Sequence, residues 1–152
     1  MNLQEELKAL KQRIAELENQ AKEEQEFPQY GETYSYINTY GGVESDIWEG
    51  HFAERNMVKI GNFFKTEEEA ELAVEKLKVE AELRKFSRPF KEGENENWFI
   101  LWGTYKKEVQ IDWSRKLVRQ GTIYFESRKK ANEAVESVGE ERIKKYLFGV
   151  ED

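Results

Sequence analysis

The sequence has no cysteine, two prolines and a single histidine among its 152 residues. Without cysteine, the chain forms no disulfide and offers no thiol nucleophile or thiolate metal ligand. His51 has no second histidine at the HxxxH spacing of a zinc site, so we interpret it as a surface residue. No apolar run approaches the ~18 residues of a membrane-spanning helix, and the first residues lack the basic and apolar regions of a secretory signal. These absences predict a cytoplasmic protein that does not enter a membrane.

Catalytic motifs are equally scarce. Gly41 and Gly42 are not followed by the GK[ST] sequence of a phosphate-binding loop, and no GxSxG motif is present. Acidic residues are abundant, but they fall in predicted helix starts and loops, where exposure to solvent accounts for them. We therefore expect a protein that is not an enzyme and that needs neither a metal nor a cofactor.

Charge and aromatic residues are plentiful by contrast. Charged residues make up 36% of the chain and aromatic residues 13%, and the formal net charge is −7. Disordered chains are poor in aromatic residues, so this composition predicts a folded protein. Residues 1–83 carry a net charge of −10, whereas residues 84–145 carry +5. Proteins that bind duplex DNA usually present a positive surface, and only the second region offers one. The acidic region suits a basic partner, or simply keeps the protein soluble.

The first 26 residues show the spacing of a coiled coil. Apolar residues recur at alternating steps of four and three, as in a heptad repeat: Leu3, Leu7, Leu10, Ile14, Leu17 and Ala21. In a parallel dimer Glu6 would face Lys11 of the second copy, and Arg13 would face Glu18, so both pairs attract. Isoleucine at a and leucine at d favour two strands. We expect a homodimer held mainly by the first five of these apolar residues; the alternative is a helix that packs on its own domain.

The rest of the chain contains an internal repeat with an offset of 61 residues. Segments 64–75 and 125–136 share a phenylalanine, two alanines, a valine and a glutamate, and Thr66 corresponds to Ser127. In both segments an aromatic, β-rich run ends and a hydroxyl residue then caps a helix. We expect the two helices to be buried through three equivalent pairs: Ala70/Ala131, Ala73/Ala134 and Val74/Val135.

Upstream of each helix, aromatic and β-branched residues recur with a period near two, which predicts strands. The predicted strands are 33–38, 43–49 and 57–64 in the first copy, and 97–103, 107–113 and 119–125 in the second. The predicted fold is α+β: an N-terminal coiled-coil helix at 1–26, followed by a duplicated strand-strand-strand-helix unit with antiparallel sheet. The two units would span 30–86 and 97–150.

A binding signal remains on the predicted strands of the second unit, where aromatic and basic residues alternate. Sheets that expose aromatic rings and arginine can hold bases or nucleotides. The candidate binding residues are Trp98, Trp102, Tyr105, Trp113, Arg115, Lys116 and Arg119. The alternative is that the aromatic residues face the core while the basic residues face solvent.

Three segments carry a resemblance: the opening FPQYGETYSYI from Phe27 to Ile37, the stretch from Gly61 to Phe86, and RIKKYLFG from Arg142 to Gly149. Together with the coiled-coil start, they resemble a group of uncharacterised proteins of phages and prophages of low-GC Gram-positive bacteria. The resemblance implies a small viral accessory protein in the cytoplasm of a bacterial host, and such proteins often counter host defence. It assigns no role to any residue.

One function is favoured and two alternatives remain open. The favoured function is that of a non-catalytic, dimeric phage-type protein that inhibits a host defence component, such as a CRISPR effector, by binding it. Two working surfaces stay open for it: an acidic one that includes Glu67, Glu68, Glu71 and Glu75, and the basic-aromatic strands of the second unit. The first alternative is a protein that sequesters a nucleotide immune signal on the basic-aromatic strands. The second is a DNA-binding regulator that uses the basic second unit.

Overall fold

The computed structural model describes residues 2–23 and 27–152 and shows an α+β protein. Its helices are α1 (Leu3–Glu23), α2 (Phe52–Lys59), α3 (Glu67–Arg84), α4 (Arg128–Val138) and α5 (Glu140–Arg142), and α5 continues as a π-helical turn, Ile143–Leu147. Its strands are β1 (Thr33–Ile37), β2 (Val43–Ile47), β3 (Asn97–Gly103) and β4 (Glu108–Ser114). The predicted end of the first helix, at 24–26, lies outside the described residues.

Contacts between residues divide the chain into two compact units. The first comprises the chain up to Tyr36 together with Val43–Glu67, and the second comprises Ile37–Gly42 and Glu68–Asp152. We predict α3 as the closing helix of the first unit, whereas contacts group it, from Glu68 onward, with the second. The reason is packing, because Val79 and Leu83 of α3 belong to the buried core of the second unit.

Aromatic rings form the core of the first unit. β1 and β2 make a two-stranded sheet, and Tyr34 on β1 is almost fully buried. Its ring stacks on Phe63 with 4.5 Å between centroids and meets Trp48 edge-on at 6.2 Å. Phe27 packs against the same Phe63 ring at 5.1 Å. The segment before β1 and the segment after α2 are thereby joined through one buried cluster.

The predicted strand at 57–64 is wrong. Residues 52–59 form helix α2, and only Phe64 pairs with β1, through an isolated antiparallel bridge to Ser35. Gly61 follows the helix with φ of 76°, a conformation that glycine adopts without strain. The chain therefore turns tightly after α2 and then pairs with β1 through one residue, Phe64.

A buried carboxylate explains why a helix starts at this point. Glu54, only 6% exposed, accepts hydrogen bonds from the backbone N–H groups of His51 (2.9 Å) and Glu49 (3.1 Å). Burial works to raise the pKa of Glu54, but these two donors and the hydroxyl of Tyr34 outweigh it and lower the pKa. Burial and the same carboxylate raise the pKa of Tyr34, so its hydroxyl stays protonated and donates. Glutamate in the third helical position is half of a capping box.

The second unit is built on the antiparallel hairpin of β3 and β4. The predicted third strand, 119–125, is reduced to one bridge between Phe125 and Trp98. The hairpin packs beside the helices around seven buried residues: Val79, Leu83, Phe125, Ala131, Ala134, Val138 and Ile143. The predicted cap of α4 is confirmed, because the hydroxyl of Ser127 accepts a hydrogen bond from the N–H of Lys130 at 3.1 Å.

α3 and α4 begin in the same way. Each starts three residues after a phenylalanine that makes an isolated bridge, Phe64 in one case and Phe125 in the other. The predicted inward pairs are all buried or half-buried: Ala70/Ala131, Ala73/Ala134 and Val74/Val135. The copies diverge upstream, since α2 precedes the first bridge and an irregular segment, 115–124, precedes the second.

Candidate functional site

One face of the β3–β4 hairpin belongs to the core. Trp98 lies opposite Trp113, Ile100 opposite Ile111, and Trp102 opposite Val109, so these six side chains share a face. Four of them are half-buried against the core cluster: Trp98, Ile100, Val109 and Ile111. The aromatic alternation along β3 therefore serves packing in large part, as the alternative interpretation of the sequence holds.

The open end of the hairpin gathers two tryptophans and two arginines. The rings of Trp98 and Trp113 lie 6.3 Å apart between centroids. The guanidinium of Arg115 lies 5.1 Å from the Trp113 ring, and that of Arg128 lies 5.1 Å from the Trp98 ring. Such stacked cation–π pairs hold the planar guanidinium in a defined orientation. We call these four residues the Arg–Trp cluster.

Charges around the Arg–Trp cluster are unevenly matched. Arg115 lies 3.6 Å from Glu96 and 3.9 Å from Glu94. Both carboxylates are well exposed, so these pairs contribute little to stability. Arg128 and Lys116 form no ion pair within the part of the chain that the structure describes. Among the described residues, Arg128 of the cluster therefore has no carboxylate beside it, in contrast to Arg115.

The remaining predicted binding residues lie elsewhere. Trp102 is half-buried near the turn of the hairpin, and Tyr105 in that turn is 97% exposed. Trp102 lies four positions along the strand from Trp98, or roughly 13 Å. Arg119 covers Phe99, on the opposite face of the hairpin, at 4.5 Å, and its backbone N–H donates to the Tyr124 hydroxyl at 2.7 Å. The structure brings Trp98, Trp113 and Arg115 together and separates them from Trp102, Tyr105 and Arg119. Lys116 directly follows Arg115 in the sequence.

Arg128 is the functional candidate that sequence reasoning missed. It lies 30 positions from Trp98 in the sequence, and the bridge between Trp98 and Phe125 brings it to the hairpin. A signal was present, because the first turn of α4 reads Arg-Lys-Lys and contains no acidic residue. Helix starts favour acidic side chains, so a cationic first turn suggests a role other than stabilising the helix.

A buried amide anchors the strand that carries Trp98. Asn97 is fully buried, and its oxygen accepts hydrogen bonds from the Arg88 guanidinium at 2.7 Å and the Lys91 N–H at 2.8 Å. Its nitrogen donates to the carbonyls of Lys91 at 2.9 Å and Ser114 at 3.1 Å. This network joins β3 to β4 and orders the preceding segment, so it positions the hairpin end.

An acidic groove lines the exposed side of α3. It has a volume of about 440 Å³ and is lined by Glu68, Glu71, Leu72, Glu75, Lys145, Tyr146 and Glu151. Leu72 is 46% exposed, so the groove combines an apolar floor with carboxylates. Glu75 pairs with Lys78 at 2.9 Å. Glu67, the remaining predicted acidic residue, belongs to the first unit and accepts a hydrogen bond from the Ser45 hydroxyl at 3.0 Å.

The apolar residues of the heptad pattern are solvent-exposed along α1. The exposed fractions are 83% for Leu3, 53% for Leu7, 61% for Leu10, 55% for Ile14 and 47% for Leu17. We call this row the α1 stripe. The helix begins with a reciprocal cap, in which Asn2 and Glu5 exchange hydrogen bonds of 2.9 and 3.2 Å. The predicted helix is confirmed, and within the single chain its stripe faces solvent.

The described residues bring together no group of three or more histidine, cysteine, aspartate or glutamate side chains able to hold a metal ion. His51 is exposed, and its Nε2 atom lies 2.6 Å from a carboxylate oxygen of Glu49. In residues 2–23 and 27–152, every helix is too short or too polar to cross a membrane.

No family model matches the chain, and neither a curated protein nor a solved structure shows significant similarity to it.

Proposed function

We propose that the protein is a non-catalytic binding protein that self-associates through α1 and inhibits a host defence component, such as a CRISPR effector, by binding it. The observation that carries the proposal is the α1 stripe, five apolar side chains exposed by 47% to 83% at heptad spacing. Soluble proteins rarely leave such a continuous apolar row uncovered. A second copy of the same helix offers a matching row.

The charges beside the α1 stripe favour a parallel pair of helices. Glu6 of one copy would meet Lys11 of the other, and Arg13 would meet Glu18. Within the chain Arg13 already contacts Glu16 at 3.3 Å, so the second attraction competes with a local one. Exposed pairs are worth at most about 1 kcal/mol each, so burial of the stripe would supply most of the association energy.

The fold of the remainder is proposed as a duplicated unit. An isolated bridge at a phenylalanine three residues before each of α3 and α4 supports the duplication, as does the sequence repeat with its offset of 61 residues. In this proposal both copies keep the bridging phenylalanine and the helix that follows it, and the first turns of the two helices carry opposite charges.

The acidic groove of α3 is the proposed contact for the defence protein. Nucleic-acid channels are lined with lysine and arginine, and exposed carboxylates at Glu68 and Glu71 have the opposite charge. The apolar floor at Leu72 and Tyr146 adds surface that a partner can bury. Two grooves in a dimer would strengthen binding through a higher effective concentration.

The test begins with the oligomeric state. In the variant Leu10→Lys/Ile14→Lys, like charges stand in the seam, so the mass in solution should fall from about twice 18.1 kDa to the monomer value. The matched control is Gln12→Lys/Asn19→Lys, which adds the same charge on the outer side of the helix and should leave the dimer intact. Light scattering measures both. A wild-type protein of monomer mass would contradict the proposal.

The inhibitory role needs a second measurement. A targeted phage should plate better on bacteria that carry an active defence system when they also express the wild-type protein. The seam variant should reduce this effect, and the outer-side control should keep it. If the wild-type protein protects the phage from none of the systems tried, including CRISPR effectors, the inhibitor role is wrong even where the dimer exists.

A further inference from the structure

The open end of the β3–β4 hairpin has the features of a ligand site that the proposed inhibitory surface does not use. The Arg–Trp cluster lies there, and it shares no residue with the α1 stripe or the acidic groove. Trp113 remains 41% exposed although its ring contacts Trp98 and Arg115. The exposed part of Trp113 therefore lies beside one arginine, and a second arginine lies over the neighbouring Trp98 ring.

We propose that this end of the hairpin binds a nucleotide, either free or within a single strand. The base stacks on the exposed part of Trp113, and the phosphate is held by Arg128. Lys116 adds positive charge to this end of the hairpin, because it directly follows Arg115 in the sequence. The proposal does not rest on self-association or on the acidic groove, since it concerns side chains of the second unit alone.

The arginine stacked on Trp98 is prepared for a phosphate. The Cζ atom of Arg128 lies over the Trp98 ring, 5.1 Å from its centroid, and the N–H groups of a guanidinium beside a ring can still donate to an acceptor. Within the described residues it has no carboxylate partner, and the same holds for Lys116. A phosphate supplies the charge-assisted hydrogen bonds that the protein leaves unmade.

Arg115 has a different part in the site. Its guanidinium is already flanked by Glu96 at 3.6 Å and Glu94 at 3.9 Å. Two carboxylates beside it would repel a phosphate, so Arg115 is a positioning residue that holds the Trp113 ring. This leaves the phosphate to the Arg128 side of the cluster.

The aromatic component distinguishes a nucleotide from an acidic peptide. Acidic side chains need only cations, and exposed cations occur at many places on this chain. A base also needs an aromatic surface, and every base has a face that can stack. Trp98 and Trp113, 6.3 Å apart, supply that surface beside the cations, which is why the cluster favours a nucleotide.

The experiment follows tryptophan fluorescence of the full-length protein during titration with oligothymidylate and, separately, with thymidine monophosphate at low salt. Wild-type protein should be quenched by at least one of them. The variant Arg128→Ala/Lys116→Ala should lose roughly tenfold or more in affinity. The control Lys106→Ala/Lys107→Ala removes the same charge from the turn end of the hairpin and should bind as the wild type does. Arg128→Lys keeps the charge without the planar stack and should be intermediate.

The two probes identify the source of the nucleotide. Tight, salt-dependent binding of the oligonucleotide alone indicates a single strand, with the salt slope falling by about 0.7 for each phosphate contact removed. Equal binding of the mononucleotide indicates a free nucleotide. The proposal is overturned if neither probe binds, if the Arg128→Ala/Lys116→Ala variant binds as tightly as the wild type, or if a polyglutamate peptide displaces the probe equally well.

Discussion

α3 and α4 start from the same local arrangement and carry opposite charge. Each follows a bridging phenylalanine and a hydroxyl residue, Thr66 or Ser127. The next three residues are all glutamate in α3 and Arg-Lys-Lys in α4. Positive first turns oppose the helix dipole, whereas negative ones complement it. α4 therefore starts without the favourable first-turn charge of α3, with a cap from the Ser127 hydroxyl, so the charge of its first turn is open to other uses.

The two units also differ in the buried polar side chain that holds their backbone segments together. In the first unit the carboxylate of Glu54 accepts hydrogen bonds from two backbone N–H groups at the start of α2. A neutral amide, Asn97, connects β3 to β4 in the second. Both are buried, but only the carboxylate can take up a proton. Acid should therefore protonate Glu54 and lower the stability of the first unit. The Asn97 network of the second unit contains no group that acid protonates in the same way.

The largest effect expected from this comparison is on inhibition. Reversing charge at the acidic side chains of α3 (Glu67, Glu68, Glu71 and Glu75, each to Lys) should abolish inhibition, because it sets like charges against a basic partner. The variant Arg115→Ala/Lys116→Ala/Arg119→Ala should keep its inhibitory activity and its melting temperature. Both are run in one inhibition assay. If both keep full activity, neither surface contacts the defence protein; if only the second loses activity, roughly a hundredfold or more, the basic side is the working surface.

A smaller effect is expected on the acid stability of the first unit. The folded protein lowers the pKa of Glu54 below its ordinary value of 4.5, so the carboxylate stabilises the fold above that value. This stability is lost as the pH falls through the lowered pKa. Glu54→Gln removes the charge and should lower the free energy of unfolding near neutral pH by about 1–2 kcal/mol. The difference from wild type should shrink towards pH 3.

Urea unfolding from neutral to acid pH measures the Glu54 effect. Glu32→Gln serves as the control, because the Glu32 side chain is exposed, and its profile should follow the wild type. A Glu54→Gln protein whose deficit stays constant at every pH would show that the carboxylate acts only through its shape.

The smallest effect concerns the helix starts themselves. Arg128→Glu/Lys129→Glu should stabilise the protein by about 0.5–1 kcal/mol, and Glu67→Lys/Glu68→Lys should destabilise it by a similar amount, since each exchange reverses the interaction with the helix dipole. Thermal unfolding at low salt measures both. Added salt should bring the two variants towards the wild type, because exposed charges are screened. Shifts of the same sign would show that local contacts outweigh the dipole.

Elements with local signals are predictable from this sequence. α1 follows from its heptads, α4 from Ser127 and from the apolar spacing that begins at Ala131, and the β3–β4 hairpin from its alternation. The sequence does not predict the helix at 52–59. Its N-cap residue is His51, which is not a usual capping residue, and the cap depends on the buried carboxylate of Glu54. Burial is a property of the assembled unit, and no spacing in the sequence reveals it.

The candidate site is predictable only in part, for a related reason. Trp98 and Trp113 occupy neighbouring strands of one hairpin, so register alone pairs them. Arg119 lies six positions after Trp113 in the sequence, yet the irregular segment 115–124 carries it to the opposite face, over Phe99. Arg128 is distant in sequence from Trp98 and contacts its ring. Proximity along the chain is a poor guide wherever an irregular segment intervenes.

By itself the sequence determined the helical start of the chain with its heptad row, the β3–β4 hairpin and the cap of α4. All of these depend on residues within a few positions of one another, where backbone geometry sets the neighbours. Tertiary structure alone decided that α3 packs with the second unit from Glu68 onward and that Arg128 meets Trp98. Such pairings follow from which apolar surfaces fill a common core, and close packing is satisfied by the whole unit rather than by any one segment.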